Sequence, residues 1–278
     1  MRQLLQISNL QVRFPSFEGE ASVIDKLDLA IDRGEKVALV GESGCGKSLT
    51  ARVILGLINR QRAYISGQLR FDGTDLLTLS SAEWRTIRGR RISMIFQNPS
   101  AALNPVFTVG EQLATAARRG GSANNLIEAK ALAREMLERI SVVDPDRVLS
   151  SYPFQLSGGL NQRVLISMAL INRPDLILAD EPGTALDVTI QEQVLREMSD
   201  LAEMTGTAVL LISHNLGVVK AFTDRIYVMY AGQIVESAKT EVLFRNPMHP
   251  YTAALLRAVP RLSADVPPQG IEGAIPDY

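Results

Sequence analysis

The sequence predicts an α/β fold built on a mostly parallel sheet, with an all-helical stretch inserted between two of its strands. Three observations lead there. Short aliphatic runs recur along the 278 residues and are separated by stretches of helical periodicity. Aromatic residues make up only 5% of the chain, so aliphatics dominate a hydrophobic share of 46%, as suits strands buried on both faces. From Thr108 to about Ser141 the apolar spacing changes to three and four residues, the period of a helix with one buried face.

In chain order, "LLQISNL", "QVRF" and "VIDKLDLAI" read as short β segments separated by polar and glycine breaks. "KVALVG" (Lys36–Gly41) is a buried-strand pattern, followed by a glycine-rich turn and an apolar helix, "SLTARVILGLI". "ISMIFQ" (Ile92–Gln97), "LILAD" (Leu176–Asp180), "AVLLIS" (Ala208–Ser213) and "IYVMY" (Ile226–Tyr230) supply further core strands. Within the helical stretch, Leu126, Ala129, Leu132, Ala133, Met136, Leu137 and Ile140 share one face, and Glu135 and Arg139 form a supporting i,i+4 pair. After Val259, Pro260, Pro267, Pro268 and Pro276 predict an irregular, surface-laid tail.

Composition narrows the functional classes. This length supports one sizeable core with an attached subdomain. Lysine and arginine number 29 against 30 acidic residues, so the chain carries no electrostatic footprint for nucleic acid. Cys45 is the only cysteine, which rules out an intrachain disulfide or a cysteine-built metal cluster and favours a reducing, cytosolic setting. The opening "MRQLLQISNLQVRF" lacks the apolar core of a secretory signal. With no run of about 18 apolar residues, the chain is expected to reach a membrane only by docking to something in it.

Gly41–Ser48, "GESGCGKS", matches G-x-x-x-x-G-K-[ST] between a predicted strand and a predicted helix, the context a phosphate-binding P-loop requires. Its glycines let backbone N–H groups converge on phosphates at the positive end of the following helix. Lys47 is then placed for the β- and γ-phosphates, and the Ser48 hydroxyl for Mg²⁺. In "LILADE", Asp180 and Glu181 close a buried strand; Asp180 is positioned for the Mg²⁺ shell and Glu181 to polarise an attacking water.

His214, after "AVLLIS", lies at the C-terminal end of a strand, where α/β folds build their sites, and can donate to a γ-phosphate; the alternative is a capping or surface histidine. Gln97 ends its strand where the helical stretch begins, in reach of Mg²⁺ or the water. His249, in "NPMHPY", is read as structural. Phe14 and Phe17 are candidates to stack on adenine, with ordinary packing the competing explanation, and Phe14 is the choice of the two. Finally, "LSGGLNQR" (Leu156–Arg163) places Ser157, Gly158 and Gly159 at the start of an apolar helix, a second anion-binding feature in a chain that already has one.

Together these motifs resemble the ATP-binding subunits of ABC transporters, over essentially the whole chain. The resemblance implies a RecA-like P-loop core with an antiparallel β subdomain (1–97 and 165–240), a helical subdomain carrying the signature "LSGG" (98–164) and a C-terminal extension (241–278). It implies that Gly41, Ser43, Gly44, Cys45, Gly46, Lys47, Ser48 and Thr50 hold the phosphates of ATP. Ser48, Gln97 and Asp180 would hold Mg²⁺, with Glu181 as general base and His214 as γ-phosphate switch. Ser157, Gly158 and Gly159 would serve the nucleotide of a second, facing subunit, and Asp187 would lie in the loop that couples the two sites. The second phosphate cradle then has a purpose: two ATP molecules are sandwiched in a head-to-tail dimer.

"FQNPSAALNPVFTVGEQL", "YPFQLSGG" and "NPMHPYTAALLRAVPRL" look like the oligopeptide, dipeptide and nickel import branch. That branch implies two permease subunits, a second ATP-binding subunit (sister or self), a soluble substrate-binding protein, and a peripheral place on the cytoplasmic face of the bacterial inner membrane. Di- or oligopeptides are the expected cargo, with nickel, a metallophore or an opine as the alternative. No iron–sulfur cluster is expected, because the C-terminal cysteines that many branch members carry are missing.

Leu160, Gly183 and Asn215 depart from the family's usual polar residue, threonine and aspartate. The first two are expected to weaken the partner's site or loosen a turn; Asn215 keeps its hydrogen-bonding capacity. Alkylation of Cys45 is expected to block ATP binding, and ATP to protect it. A non-transport ABC ATPase acting on nucleic acid or ribosomes fits poorly: only 115 positions separate Gly41 from Leu156, leaving no room for long coiled coils. An unrelated P-loop kinase or switch protein would lack the signature.

Overall fold

The computed structural model describes residues 3–16, 19–183 and 186–258. The proline-bearing tail and Phe17 lie outside the described residues, so expectations about them stay as stated. The chain forms two compact units, one from residues 1–78 and 211–278, the other from 79–210.

In the first unit, β1 (Gln3–Ser16) pairs antiparallel with β2 (Gly19–Asp32) and with β4 (Tyr64–Phe71), and β5 (Thr74–Asp75) adds an edge, giving the order β2-β1-β4-β5. The runs "LLQISNL" and "QVRF" are one strand, not two. Asn9 takes a positive φ of 49° and the register shifts there, so a bulge absorbs the polar break. The Asn9 N–H, displaced from the ladder, donates to Asp28 Oδ1 at 2.8 Å. On either side Leu5, Ile7, Leu10 and Val12 stay buried.

The same unit holds β3 (Lys36–Val40), parallel to β9 (Arg225–Tyr230), which runs antiparallel to β10 (Gln233–Lys239). Four aliphatic residues of β3, Val37 to Val40, are at most 1% exposed, as expected of a central strand. The helix α1 (Lys47–Ile54) leaves the turn after β3. It stops short of Ile58, where the apolar pattern ran, because the chain turns through Gly56 at φ 63°. The short helices α9 (Leu216–Phe222) and α10 (Thr240–Arg245) and the C-terminal α11 (Pro250–Arg257) complete the unit.

The second unit opens with α2 (Ser81–Ile87). It contains β6 (Ile92–Ile95) parallel to β7 (Leu176–Asp180), with the start of β8 (Ala208–Ile212) joined to this pair by the Ala208 N–H bond to the Asp175 carbonyl, 2.9 Å. Between β6 and β7 lie α3 (Pro99–Ala102), α4 (Val109–Gly120), α5 (Leu126–Arg139), α6 (Pro145–Ser150) and α7 (Gly158–Leu170). The long helix α8 (Val188–Thr205) follows β7.

Local chemistry explains the breaks. Thr108 and Glu111 form a reciprocal capping box that starts α4, and the Asn125 side chain caps α5. Ala129, Ala133, Met136, Leu137 and Ile140 are buried as their spacing demands, and Arg139 bonds Glu135 at 2.6 Å. Leu132 is only half-buried, and Leu126 is 50% exposed because it occupies the first helical position, before the buried face has closed over it.

The signature helix α7 packs against α3, α4, α5 and α8. A largely desolvated ion pair joins it to α8: Arg163 meets Glu197 through two bonds, at 3.0 and 3.2 Å, with side chains 15% and 12% exposed. Such a bidentate pair locks the angle between the helices as well as their contact. No helix among the described residues is long and apolar enough to cross a membrane.

Candidate functional site

The P-loop is built by close backbone approach. Gly41 has φ +153°, and a Cβ there would collide with the Met229 carbonyl oxygen on the neighbouring strand β9. Gly46, at φ +107°, lies against Met229 Cε and the Val23 carbonyl, 2.8 and 3.1 Å from where a Cβ would stand. Only glycine lets the turn lie so flat on β9, which leaves its outer face open for phosphate oxygens. Ser43 and Gly44 are exposed on that loop, and Ser48 is half-buried at the first turn of α1.

Lys47 is buried, and its ammonium donates to the carbonyls of Gly41 and Glu42 at 2.8 and 2.6 Å and to Cys45 Sγ at 3.6 Å. A cation held by neutral carbonyls is poised to exchange them for phosphate oxygens, which are stronger partners. Thr50 is fully buried and its hydroxyl donates to the Gly46 carbonyl at 3.0 Å, so it stiffens the first turn of α1. The Gly232 N–H bonds the Cys45 carbonyl at 3.1 Å and the Glu42 N–H bonds the Tyr251 hydroxyl oxygen at 3.0 Å. The loop is therefore tethered at both ends.

Cys45 is 4% exposed, and burial pushes its thiol above the ordinary thiol value, against the opposing pull of Lys47. The alkylation anticipated from sequence must therefore be slow. Because burial disfavours the reactive thiolate and shields it, iodoacetamide should modify the folded protein at neutral pH at under about a tenth of the rate seen in urea, with the folded rate rising as pH is raised. Equal folded and unfolded rates, followed by mass spectrometry, would contradict this burial.

His214 is exposed just beyond β8, in the same unit as the P-loop. The next residue, Asn215, has a task that sequence reasoning missed. Its Oδ1 accepts from the N–H groups of Gly217 and Val218, at 3.1 and 3.3 Å, as the N-cap of α9. Asparagine does this as well as aspartate, and the substitution is structurally neutral. Phe14 is half-buried near the end of β1, where it pairs in register with Ala21.

In the second unit, β7 delivers Asp180, 5% exposed, and Glu181 directly after it. Glu181 adopts φ 48°, a left-handed conformation that is costly for a residue with a Cβ and is found where a carboxylate must be aimed. Gln97 lies two residues past the end of β6, and its Nε2 donates to Glu181 Oε2 at 2.8 Å. The structure thus joins two residues 84 positions apart that the sequence singled out separately. The Gln97 amide oxygen, a serine hydroxyl and the Asp180 carboxylate are hard oxygen donors, the ligand chemistry Mg²⁺ prefers over softer metals.

Ser157 is the exposed N-cap of α7; its Oγ accepts from the Leu160 N–H at 3.4 Å, and Gly158 beside it is exposed. Leu160, half-buried at the third helical position, contributes its backbone to this cap whatever its side chain. Gly183 adopts φ +92°, with Gln191 Cγ 3.0 Å from where a Cβ would stand. A positive φ with Gln191 this near suits glycine, and threonine could not take the same position unchanged. Asp187, exposed, is the N-cap residue of α8.

Comparison with known proteins agrees on one family. The family model described as ABC transporter matches residues 24–184, and that of the oligopeptide/dipeptide transporter C-terminal region matches residues 235–277. The chain is 47% identical to a probable peptide ABC transporter ATP-binding protein of Sinorhizobium fredii, over 92% of this chain and 77% of the relative. It is 44% identical to a dipeptide transport ATP-binding protein of Bacillus subtilis, over 100% of this chain and 83% of the relative. Among solved structures it is similar to a bacterial ABC transporter cassette, in a dimeric form and in a dimeric post-hydrolysis form bound to ADP and phosphate. Each has a TM-score of 0.76 and 29% identity, covering 85% of this chain and 98% of that one.

Proposed function

Because the chain belongs to the ABC transporter family of ATP-binding proteins, we propose that it energises uptake of di- or oligopeptides through a pair of membrane permeases. It is an ATPase, converting ATP and water to ADP and phosphate, with the RecA-like ABC ATPase fold. The peptide assignment is supported by the match of residues 235–277 to the transporter C-terminal region and by relatives named for peptide and dipeptide transport.

Within this reading the roles divide as follows. The P-loop from Gly41 to Ser48 cradles the phosphates, with Lys47 exchanging its carbonyl partners for phosphate oxygens and Thr50 bracing the helix behind it. Phe14 stacks on the adenine. Glu181 takes a proton from the attacking water, held in aim by Gln97, and His214 donates to the γ-phosphate. Ser48, Gln97 and Asp180 would hold Mg²⁺, which when bound would supply charge neutralisation on the phosphates.

The observation that carries the composite-site reading is the exposed Ser157–Gly158 start of α7, a second anion-accepting helix terminus in a chain with its own P-loop. It would serve, with Gly159, the ATP of a facing subunit, whether a sister or a second copy, and Asp187 would couple the two sites. The segment 98–164 is then the surface that meets the permease, next to Gln97, with 1–97 and 165–240 as core and 241–278 as extension. The complex sits at the cytoplasmic face of the inner membrane and takes cargo from a substrate-binding protein.

Uptake decides the cargo. A strain lacking this chain should lose ATP-dependent accumulation of labelled di- or tripeptides by at least tenfold while nickel uptake is unchanged. Intact peptide uptake with lost nickel or opine accumulation would overturn the peptide assignment in favour of its branch relatives.

A further inference from the structure

We propose that Tyr251 is a positioning residue for the phosphate loop, and that through it the C-terminal segment of this chain sets how tightly the loop holds nucleotide. The inference rests on the P-loop being the nucleotide site, and it gives a role to the "NPMHPYT" stretch that the ATPase chemistry leaves unused.

Tyr251 stands at the second residue of α11, 209 positions from Glu42, yet its hydroxyl oxygen accepts the Glu42 N–H at 3.0 Å. The ring is 9% exposed and lies 4.6 Å from the Tyr230 ring, tilted by 51°, at the end of the strand that supports Gly41. Burial pushes its hydroxyl up to about 12, so it remains a neutral phenol across the physiological range. The carbonyl of the same Glu42 residue accepts from Lys47 at 2.6 Å. The loop's entry is thereby fixed from its N–H side by the C-terminal helix and from its C=O side by the catalytic lysine.

The helix is itself held in place. Glu236 on β10 accepts the N–H groups of Met248 and His249 at 2.8 and 2.9 Å, and His249 Nδ1 accepts the Tyr251 N–H at 3.1 Å. Burial alone would raise the Glu236 carboxyl, but these N–H donors hold it below its usual range, as a carboxylate. A chain of bonds therefore runs from β10 through the "NPMHPY" turn to the phosphate loop. His249, read from sequence as structural, is the middle link.

A P-loop binds phosphate by presenting several N–H groups already aimed, and its affinity depends on how little they must be ordered on binding. Removing the tyrosine oxygen frees the Glu42 peptide and lets the loop entry wander. Because coupling is reciprocal, nucleotide in the loop should likewise quiet α11. The C-terminal segment is thus both a brace for the site and a reporter of its occupancy.

The test uses the full chain and a fluorescent ATP analogue carrying a methylanthraniloyl group on the ribose. Tyr251→Phe keeps the ring stack and is expected to weaken binding about tenfold, with the thermal midpoint nearly unchanged. Amide exchange at Glu42 to Gly44 should quicken, and the ATP-dependent slowing of α11 exchange seen in the native chain should vanish. A Tyr251→Phe Kd within twofold of native, with Glu42 exchange unaltered, would overturn the proposal. A native chain that binds no ATP analogue would instead overturn the nucleotide-site reading beneath it. If Tyr251→Phe loses its cooperative transition, Glu236→Gln loosens the turn from outside the core. It is read by the same Kd and the same amides, with weakening expected and a native Kd counting against the brace.

Discussion

Glu181→Gln should reduce ATP turnover about 10²–10³-fold while leaving the affinity for ATP within about twofold. The substitution is close to isosteric, and glutamine can still accept the Gln97 amide bond at 2.8 Å. It inherits the same left-handed backbone at φ 48°. What is lost is the negative charge and the ability to take a proton from water, so the expected effect isolates the base. With Mg²⁺ present, the stalled protein should collect as an ATP-bound dimer, doubling in light scattering from 30.4 kDa. A variant retaining more than a tenth of native turnover would remove Glu181 from the role of base. A monomer that binds ATP but never doubles would point to an obligatory sister subunit.

The second large effect is expected at Gly41. Gly41→Ala drives a methyl group into the Met229 carbonyl oxygen at a φ of +153° that side chains rarely adopt, and the obstacle is backbone, which cannot swing aside. A stability cost of about 3–4 kcal/mol is expected, well above the ~1 kcal/mol typical of single substitutions, and ATP binding should weaken with it as the loop is pushed off β9. Gly44 is the control: its φ is +87° but a Cβ there meets nothing within 4 Å. Gly44→Ala should therefore cost only backbone strain, about 1 kcal/mol. Equal midpoints for the two variants in thermal unfolding would show that the approach to β9 is not what demands glycine.

Much of the site was legible in the sequence because its parts are local. A buried strand, a glycine turn and a helix start are consecutive, so "KVALVGESGCGKS" carries its own context, and "LILADE" likewise announces two acids at a strand end. Strand and helix assignments were reliable where aliphatic runs were uninterrupted, as at β3, β7 and β8. They failed where one residue could rescue a break: the polar pair Ser8–Asn9 suggested two strands, and a bulge at Asn9 made them one.

Other features had no local signal. Nothing in "LSGGLNQR" tells that Arg163 will find Glu197 on the next helix, or that this pair will hold the signature helix to α8. Gly183 and Asn215 both depart from a family pattern, the first expected to loosen a turn and the second to keep its hydrogen-bonding capacity. Neither the positive φ of Gly183 nor the helix N-cap formed by Asn215 could be read from the residues alone.

The sequence by itself determined the chemistry available: the glycine-rich loop with its lysine, the two acids at the end of β7, the serine–glycine helix start at Ser157 and the alternation of strands and helices. These follow from residues within a few positions of one another, where side-chain type and backbone preference act directly. The tertiary structure alone decided how that chemistry is aimed. It set the Gln97–Glu181 bond, the left-handed turn at Glu181, the seat of the P-loop on Met229 and the hold of Tyr251 on Glu42. Each joins segments remote in sequence or depends on one backbone torsion, and both are settled only when the elements that carry them pack.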